Sequence, residues 1–371
     1  MTALRIVSVV GTRPNFMKIA PIAAALARRG GAFEHTLVHT GQHYDAAMSE
    51  VFFQQLGVGE PDVRLEVGAG SHAATTARVM ERLEPVLVEI QPDVVLVPGD
   101  VNSTLAASLV ATKLGIRVAH VEAGLRSFDR TMPEEINRIL TDAVSDLLFI
   151  HSPEARGHLE REGRPASAIH DVGNTMIDTL VAMRERIAAT GAAQAHGLTA
   201  GNYLVVTLHR PALVDGPLLA DALAALEQVG RELPVVFPAH PRTTARMAVA
   251  GLDVASPHVR VIEPLGYVEF LSLLADAAGA LTDSGGIQEE TTYLGVPCLT
   301  LRDNTERPVT VEMGTNVLLG LRPERIVEAP AIIEQVRGRD ARVPPGWDGR
   351  ASERIADVLA TVGVEPVRTV V

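Results

Sequence analysis

The stretch from Leu281 to Glu290, LTDSGGIQEE, combines residue types suited to binding a phosphate and a sugar hydroxyl. An apolar, strand-like run ends at Asp283, and Ser284 with two glycines then leads into a helix. Backbone N–H groups at a helix N-terminus attract phosphate oxygens, and glycine lets the ligand approach the backbone closely. An acid one turn into the helix, Glu289 or Glu290, can accept hydrogen bonds from a ribose diol. The pattern indicates a nucleotide-diphosphate site, and a simple Gly-Gly turn is the alternative.

A second group of reactive side chains lies within residues 120–138, HVEAGLRSFDRTMPEEINR. It includes one histidine, four acids and two arginines: His120, Glu122, Arg126, Asp129, Glu134, Glu135 and Arg138. Glu122 directly follows an apolar run that predicts a strand, so we expect its side chain to point into a cleft. A buried charge requires a partner, and Arg126 and Arg138 are the nearest candidates. The group is suited to acid–base chemistry, and a purely structural ion network is the alternative.

Charged residues also follow other predicted strands in the first half of the chain. Arg13 and Lys18 lie near the start of a helix, where two cations and the backbone amides could bind an anion. The alternative is a pair of solvated loop charges. Asp100 follows a later strand and is either a site residue or a helix N-cap. The sequence has neither a Walker loop nor a GxGxxG fingerprint here, so nucleoside triphosphate hydrolysis has no support.

Two histidine–arginine sites follow neighbouring predicted strands in the second half of the chain. TLHR contains His209 and Arg210, and FPAHPRT contains His240 and Arg242. Equivalent positions after two strands indicate a site rather than chance. The spacing offers no HxH or HxxxH pair, so we expect no metal.

Composition narrows the function classes. The chain has 371 residues, of which 47% are apolar, and a net charge of −12. This charge disfavours a nucleic-acid or anionic-membrane partner. Cys298 is the only cysteine, so no disulfide framework is expected. The start of the chain lacks the pattern of a signal peptide and no apolar run is long enough to span a membrane, so we expect a soluble, cytoplasmic protein.

Short apolar runs alternate with helical patterns along the chain, which predicts parallel sheets with right-handed crossovers. The predicted strands cover residues 5–10, 35–40, 94–99, 117–122 and 146–150, then 203–208, 234–239, 259–264, 279–283 and 297–301. The break between the two series predicts two doubly wound domains, with a boundary near residues 183–201. Ligands of such sheets bind at the carboxyl ends of the strands.

The motifs, taken together, resemble the non-hydrolysing UDP-N-acetylglucosamine 2-epimerases over nearly the whole chain. Ten motifs occur in order: GTRPNFMK, HTGQHYD, PGDVNSTLA, HVEAGLR, MPEEINR, GNTMID, TLHR, PAHPRT, TDSGGIQEE and RDNTERP. The resemblance implies an α/β, GT-B-like fold of two Rossmann-like domains with the active site in the cleft between them. The domains would be residues 1–185, with a C-terminal helix at 350–371 packing back on them, and 186–349, which would bind UDP.

The resemblance also implies a reaction and its residues. Family members interconvert UDP-N-acetylglucosamine and UDP-N-acetylmannosamine by eliminating UDP to a 2-acetamidoglucal and adding it back. By position, the catalytic residues would be Asp100, Glu122, Glu134, His209, Lys18 and Arg138. The UDP and sugar would be bound by Arg13, Phe270, Ser284, Gly285, Gly286, Glu290 and Arg307. The resemblance further implies a homodimer that needs no metal or redox cofactor and whose product feeds polysaccharide biosynthesis.

Two stretches depart from the family pattern. After His209 and Arg210 many members continue with a glutamate and an asparagine, where this chain has Ala212 and Leu213. The loop geometry or the sugar specificity is therefore expected to differ. The sequence at residues 42–45 also differs from the version found in members that a second substrate molecule activates. We therefore expect no strong allosteric requirement.

Three rival functions remain compatible with the sequence. A hydrolysing 2-epimerase would release N-acetylmannosamine and UDP. A relative acting on a UDP-2,3-diacetamido uronic acid would share the segments HTGQHYDAAMSE and SFDRTMPEEINR, although the TERP segment favours plain N-acetylglucosamine. A GT-B glycosyltransferase would use the same nucleotide site, but it usually needs one base, and the pair Glu122 and Glu134 argues against it.

Overall fold

The structure is a computed structural model that describes residues 3–41, 59–252 and 256–363. These residues form two compact units. The N-terminal unit is built from the described parts of 1–181 and 345–371, and the C-terminal unit from those of 182–344. The sequence-based division at residues 185 and 186 stays a prediction.

Each unit contains one sheet in which all strands are parallel. The sheet of the N-terminal unit has the order β3-β2-β1-β4-β5-β6-β7. Its strands are β1 Leu4–Val10, β2 Phe33–His39, β3 Val63–Arg64, β4 Val94–Pro98, β5 Arg117–Val121, β6 Leu147–Ile150 and β7 Ile169–Asp171. The sheet of the C-terminal unit has the order β10-β9-β8-β11-β12-β13. Its strands are β8 Leu204–Thr207, β9 Val235–Pro238, β10 Val259–Ile262, β11 Gly279–Thr282, β12 Cys298–Thr300 and β13 Asn316–Leu318.

Helices connect most of the strands, as right-handed crossovers between parallel strands require. The first eight α-helices described are α1 Arg13–Arg28, α2 His72–Ile90, α3 Asn102–Lys113, α4 Pro133–Val144, α5 Pro153–Arg161, α6 Thr175–Ala182, α7 Arg184–Thr190 and α8 Ala192–Ala195. The others are α9 Pro211–Val214, α10 Leu218–Gly230, α11 Pro241–Val249, α12 Tyr267–Ala275, α13 Gly285–Leu294, α14 Pro308–Glu312, α15 Ala329–Arg337 and α16 Ala351–Ala360. Short 3₁₀ helices cover Gly30–Ala32, Ala166–Ala168 and Pro323–Glu328.

The strands lie in the core of each unit because their side chains are apolar on both faces, as in sheets covered by helices on both sides. Every residue of β4, β9 and β11 is buried. Cys298 on β12 is fully buried, and burial raises the pKa of its thiol to about 11. The cysteine is thus a small core residue, as its apolar surroundings in the sequence suggest.

The predicted fold class, two α/β units built on doubly wound parallel sheets, is confirmed. All ten predicted strands are present, with ends within two residues of the predicted ones. The sequence analysis missed β3, β7 and β13, each of which is two or three residues long. They lie at sheet edges, where a strand has one neighbour and too few residues to show an apolar pattern.

The C-terminal segment belongs to the N-terminal unit. Helix α16 packs against α1, and the backbone N–H groups of Ala351 and Ser352 at its start donate to the Asp178 carboxylate at 3.0 and 2.7 Å. Trp347 is 1% exposed, and its Nε1 donates to the carbonyl oxygen of His151 at 2.8 Å. The segment is therefore held by a helix cap and by one large buried side chain.

Among the described residues, no helix combines the length and the apolar character that crossing a bilayer requires.

The buried indole gives a stability prediction. Replacing Trp347 by Ala should lower the free energy of unfolding of the N-terminal unit by about 3–5 kcal/mol, because a large cavity forms and the bond to His151 is lost. Urea denaturation followed by circular dichroism measures the change. The control is Val88→Ala, since Val88 is 56% exposed on α2 and its truncation should change the free energy by less than about 0.5 kcal/mol. Equal effects would contradict the described docking of the segment.

Candidate active site

Glu122 and Lys18 form a buried ion pair at the carboxyl end of the N-terminal sheet. Lys18 lies on α1 and is 8% exposed, and its Nζ donates to Oε2 of Glu122. The other carboxylate oxygen of Glu122 lies 4.0 Å from Nε2 of His151. Glu122 follows β5 and has a φ of +72°, a left-handed conformation that is strained for a residue with a side chain. Such strain is typical of functional positions.

Gly99 packs against Lys18, and the next residue along the chain, Asp100, therefore lies near this ion pair. A Cβ atom at Gly99 would come within 2.9 Å of Nζ of Lys18 and 3.6 Å of Oε2 of Glu122. Gly99 also has a φ of +66°, so both its conformation and its surroundings favour glycine. The structure thus brings together three predicted site residues, Lys18, Asp100 and Glu122.

Arg138 contacts both Asp100 and Glu135, an acid of α4. Its guanidinium contacts a carboxylate oxygen of Asp100 at 2.5 Å and one of Glu135 at 2.7 Å. Glu135 is 1% exposed and also accepts hydrogen bonds from the backbone N–H groups of Ser127 and Phe128, both at 2.9 Å. Burial acts to raise the pKa of Glu135, but these donors and Arg138 hold it below its ordinary value.

Two neighbouring glutamates of α4 therefore have different surroundings. Glu134, the predicted catalytic acid, lies in the first turn of α4 and is partly exposed, whereas Glu135 is buried and binds the loop at residues 127 and 128.

Arg126 and Arg138 are the expected partners of Glu122, and for Arg126 this expectation is wrong. Arg126 is 2% exposed, and it contacts Asp142 at 2.7 Å and Glu162 at 2.6 Å. Lys18, which is distant in sequence, lies beside Glu122. The two residues meet because the turn after β5 directs the side chain of Glu122 towards α1.

In the C-terminal unit, Asp283 orients His209. Oδ2 of Asp283 accepts hydrogen bonds from the backbone N–H groups of His209 and Arg210 at 2.8 and 2.7 Å, and Oδ1 lies 2.9 Å from Nδ1 of His209. Asp283 is 1% exposed, while the His209 side chain is 42% exposed. Burial acts to raise the pKa of Asp283, but His209 and the two N–H groups hold it below its ordinary value. The ring is thus fixed by a carboxylate and remains accessible.

Helix α13 begins at Gly285, directly after Ser284, and the guanidinium of Arg307 lies over its first turn. A Cβ atom at Gly285 would come within 2.5 Å of an Arg307 nitrogen, so this close approach requires glycine. Arg307 contacts Glu289 at 2.6 Å and Glu306 at 3.5 Å. Burial acts to raise the pKa of Glu306, but the surrounding arginines hold it well below its ordinary value. A helix N-terminus and a cation at one place can bind an anion.

The remaining predicted residues lie on three helices, α1, α12 and α13. Arg13 is exposed and is the first residue of α1, and Phe270 lies half-buried on α12. Gly286 follows Gly285 in the first turn of α13, and Glu290 is 4% exposed on the same helix.

The first departure from the family pattern, at Ala212 and Leu213, includes one core position. Ala212 is exposed, whereas Leu213 is fully buried in the apolar core of the C-terminal unit. The other departure, Gln42 to Asp45, lies outside the described residues, so the expectation of no strong allosteric requirement stays a prediction.

Sequence reasoning missed three residues that shape the site. His151 follows β6, and the rule that ligands bind after strands would have selected it. Asp142 lies on the same face of α4 as Glu135 and Arg138, seven and four residues further along the helix. Glu306 is the second of two acids in the segment RDNTERP, and the signal is its pair of arginine neighbours, Arg302 and Arg307.

Comparisons with known proteins agree over almost the full length. The family model described as UDP-N-acetylglucosamine 2-epimerase matches residues 24–360. A UDP-N-acetylglucosamine 2-epimerase of Methanocaldococcus jannaschii is 41% identical over 360 residues, which cover 95% of this chain and 97% of the relative. A UDP-2,3-diacetamido-2,3-dideoxy-D-glucuronate 2-epimerase of Pseudomonas aeruginosa is 42% identical over 363 residues, which cover 96% and 99%. The crystal structure of the M. jannaschii enzyme with UDP-GlcNAc and UDP superposes with a TM-score of 0.88 at 39% identity, covering 96% of this chain and 99% of the other.

The buried Asp283 gives a prediction about acid stability. Because the pKa of Asp283 is lower in the folded chain, its carboxylate stabilises the fold above the pKa of the unfolded chain, about 3.9, and this contribution is lost as the pH falls through the folded value. Asp283→Asn should lower the free energy of unfolding by about 1–3 kcal/mol at pH 7. Its effect should shrink as the pH drops below about 4.

Urea denaturation of the full chain at both pH values measures this difference. The control is Asp221→Asn, an exposed acid on α10 of the same unit, which should have little effect at either pH. An Asp283→Asn effect of the same size at both pH values would contradict the described role of the carboxylate.

Proposed function

The chain belongs to the UDP-N-acetylglucosamine 2-epimerase family, and on this basis we propose that it inverts C2 of UDP-N-acetylglucosamine to give UDP-N-acetylmannosamine. The observation that carries the proposal is the family match over residues 24–360. The grouping of acids with cations at the carboxyl ends of the strands supports it, because the reaction moves a proton at C2 and releases an anion at C1.

The chemistry explains why such groups are needed. The hydrogen at C2 is not next to a carbonyl group, so its direct removal is very unfavourable. In the proposed route the C1–oxygen bond breaks and UDP leaves with the bonding electrons, while a base takes the C2 proton and a C1–C2 double bond forms. UDP then adds back to C1, and an acid protonates C2 on the opposite face. The route needs acid–base groups, a site for the leaving diphosphate and exclusion of water.

We assign the proton transfers to acids of the N-terminal unit. Asp100, Glu122 and Glu134 would exchange the C2 proton and stabilise the cation-like sugar. Lys18 places a cation against Glu122, and Arg138 places one against Asp100. Glu134 differs from both because it is partly exposed at the start of a helix.

We assign UDP binding mainly to the C-terminal unit. Ser284, Gly285 and Gly286 form the start of α13, and Arg307 adds a cation there. His209, fixed by Asp283, would serve the diphosphate. In the same proposal Arg13 of the N-terminal unit adds a further cation, Glu290 accepts the ribose hydroxyls and Phe270 stacks on uracil.

A second substrate is supported by a specific observation. The relative that acts as a UDP-2,3-diacetamido-2,3-dideoxy-D-glucuronate 2-epimerase is 42% identical, about the same as the 41% of the UDP-N-acetylglucosamine enzyme. The uronate differs by a carboxylate at C6 and an acetamido group at C3. Offering both nucleotide sugars to the same preparation, and comparing kcat/KM, decides between them.

We further propose that the protein is a cytoplasmic homodimer without a metal or redox cofactor and without a nucleic-acid partner, and that its product feeds polysaccharide biosynthesis. The net charge of −12 supports the exclusion of nucleic acid. Sedimentation analysis of the purified chain measures the oligomeric state.

Incubation with UDP-N-acetylglucosamine in deuterium oxide tests the proposed reaction. The expected result, read by NMR and mass spectrometry, is one deuterium at C2 in a mixture of gluco and manno nucleotide sugars. Free N-acetylmannosamine with an equal amount of UDP would show the hydrolysing reaction instead. Absence of exchange with this substrate, together with exchange in the diacetamido uronate, would move the proposal to that sugar.

The two adjacent glutamates of α4 provide a matched pair of variants. Glu134→Gln should lower kcat by about 10²–10⁴-fold and leave the melting temperature nearly unchanged, because Glu134 is a proposed acid–base group. Glu135→Gln should lower the melting temperature, because the buried carboxylate binds two backbone N–H groups and Arg138. If Glu134→Gln lost stability while keeping its rate, the assignment of Glu134 would be wrong.

A further inference from the structure

A chain of four alternating charges lies beneath the acids of the N-terminal unit. Nδ1 of His120 is 2.6 Å from Oδ1 of Asp142, and Oδ2 of Asp142 is 2.7 Å from the guanidinium of Arg126. Arg126 forms a two-pronged contact with Glu162, at 2.8 and 2.6 Å. His120 and Asp142 are fully buried and Arg126 is 2% exposed, so only Glu162 reaches solvent.

Both ring nitrogens of His120 face acceptors. Nε2 lies 2.8 Å from the carbonyl oxygen of Gly99, which cannot donate a hydrogen, so Nε2 carries one. Nδ1 faces Asp142, whose other oxygen already accepts from the Gly124 N–H at 3.0 Å and from Arg126. An ionised Asp142 therefore requires a hydrogen on Nδ1 as well, which makes the imidazole a cation.

The charges favour this assignment. With His120 protonated, the chain contains two cations and two anions and is neutral overall. With a neutral imidazole, the lone pair of Nδ1 would face the Asp142 carboxylate at 2.6 Å in the core, which is costly. Burial acts to raise the pKa of Asp142, but His120 and Arg126 hold it below its ordinary value. Glu122, which follows β5 two residues after His120, is paired with Lys18, and Asp100, which follows Gly99, is paired with Arg138.

The same two residues fix the backbone on both sides of the proposed acids. His120 binds the carbonyl of Gly99, the residue before Asp100, and Asp142 binds the N–H of Gly124, two residues after Glu122. The backbone at these places is left-handed, with φ of +66° at Gly99, +72° at Glu122 and +79° at Gly124. A conformation of this kind persists only where its surroundings hold it.

We propose that His120 and Asp142 are positioning residues for the C2 chemistry, and that His120 is an imidazolium with a hydrogen on each ring nitrogen, which connects the turns that carry Asp100 and Glu122. The proposal rests on the proposed function for its kinetic part, since Asp100 and Glu122 are the proposed acids. The protonation of His120 does not depend on it.

The first test measures that protonation directly. In the full chain with isotope-labelled histidine, NMR at neutral pH should show a hydrogen on both ring nitrogens of His120. His120→Gln identifies the signals by their loss. A single hydrogen on the ring would overturn the assignment.

The second test separates positioning from plain stability. Asp142→Asn should lower kcat by about 10²-fold with little change in KM, because the acids are displaced while the UDP contacts of the C-terminal unit remain. The control is Asp93→Asn, another buried acid of this unit, which accepts the Arg5 N–H at 2.8 Å beside the first residue of β4, at the opposite edge of the sheet. This variant should lose stability and keep its kcat.

The outcomes are distinguishable. Equal losses of kcat in Asp142→Asn and Asp93→Asn would overturn the positioning role. If Asp142→Asn fails to fold, the NMR measurement on the unsubstituted chain still decides the protonation of His120. If the unsubstituted chain epimerises neither nucleotide sugar, the proposed function is wrong. The NMR measurement still decides the protonation of His120 in that case.

Discussion

Every strand of a parallel sheet delivers its carboxyl end to the same edge, and both units of this chain place charged side chains there. Glu122, Lys18, Arg138 and Asp283 are buried, so each requires a partner of opposite sign or a set of backbone donors. Glu122 is paired with Lys18, Asp100 with Arg138 and Asp283 with His209.

These ion pairs do not account for the stability of the fold. A buried ion pair often stabilises a protein no more than apolar side chains of the same volume would, whereas loss of one partner is strongly destabilising. The apolar cores of the two units stabilise the chain, and the pairs fix the positions of a few acids. Such fixed charges suit a reaction in which a diphosphate leaves and a proton moves, because the groups need not reorganise during it.

The fold could be predicted because apolar runs mark most of its strands and helical patterns mark the connections between them. The strand-end rule also selected most of the site residues, including Asp100, Glu122 and His209. The partners of those residues were less predictable. Arg126 lies close to Glu122 in sequence, yet Lys18 is the cation beside it, because the left-handed conformation of Glu122 turns its side chain towards α1. No periodic pattern encodes a single positive φ, and edge strands of two or three residues show no pattern at all.

In the proposed reaction the C1–oxygen bond of the nucleotide sugar breaks during inversion at C2. The direct measurement uses UDP-N-acetylglucosamine with heavy oxygen in the bridge between C1 and the β-phosphorus, followed by phosphorus NMR. A freed UDP can re-add through any oxygen of its terminal phosphate, so we expect the label to move into non-bridging positions as C2 inverts. Inversion at C2 with the label retained in the bridge would contradict it.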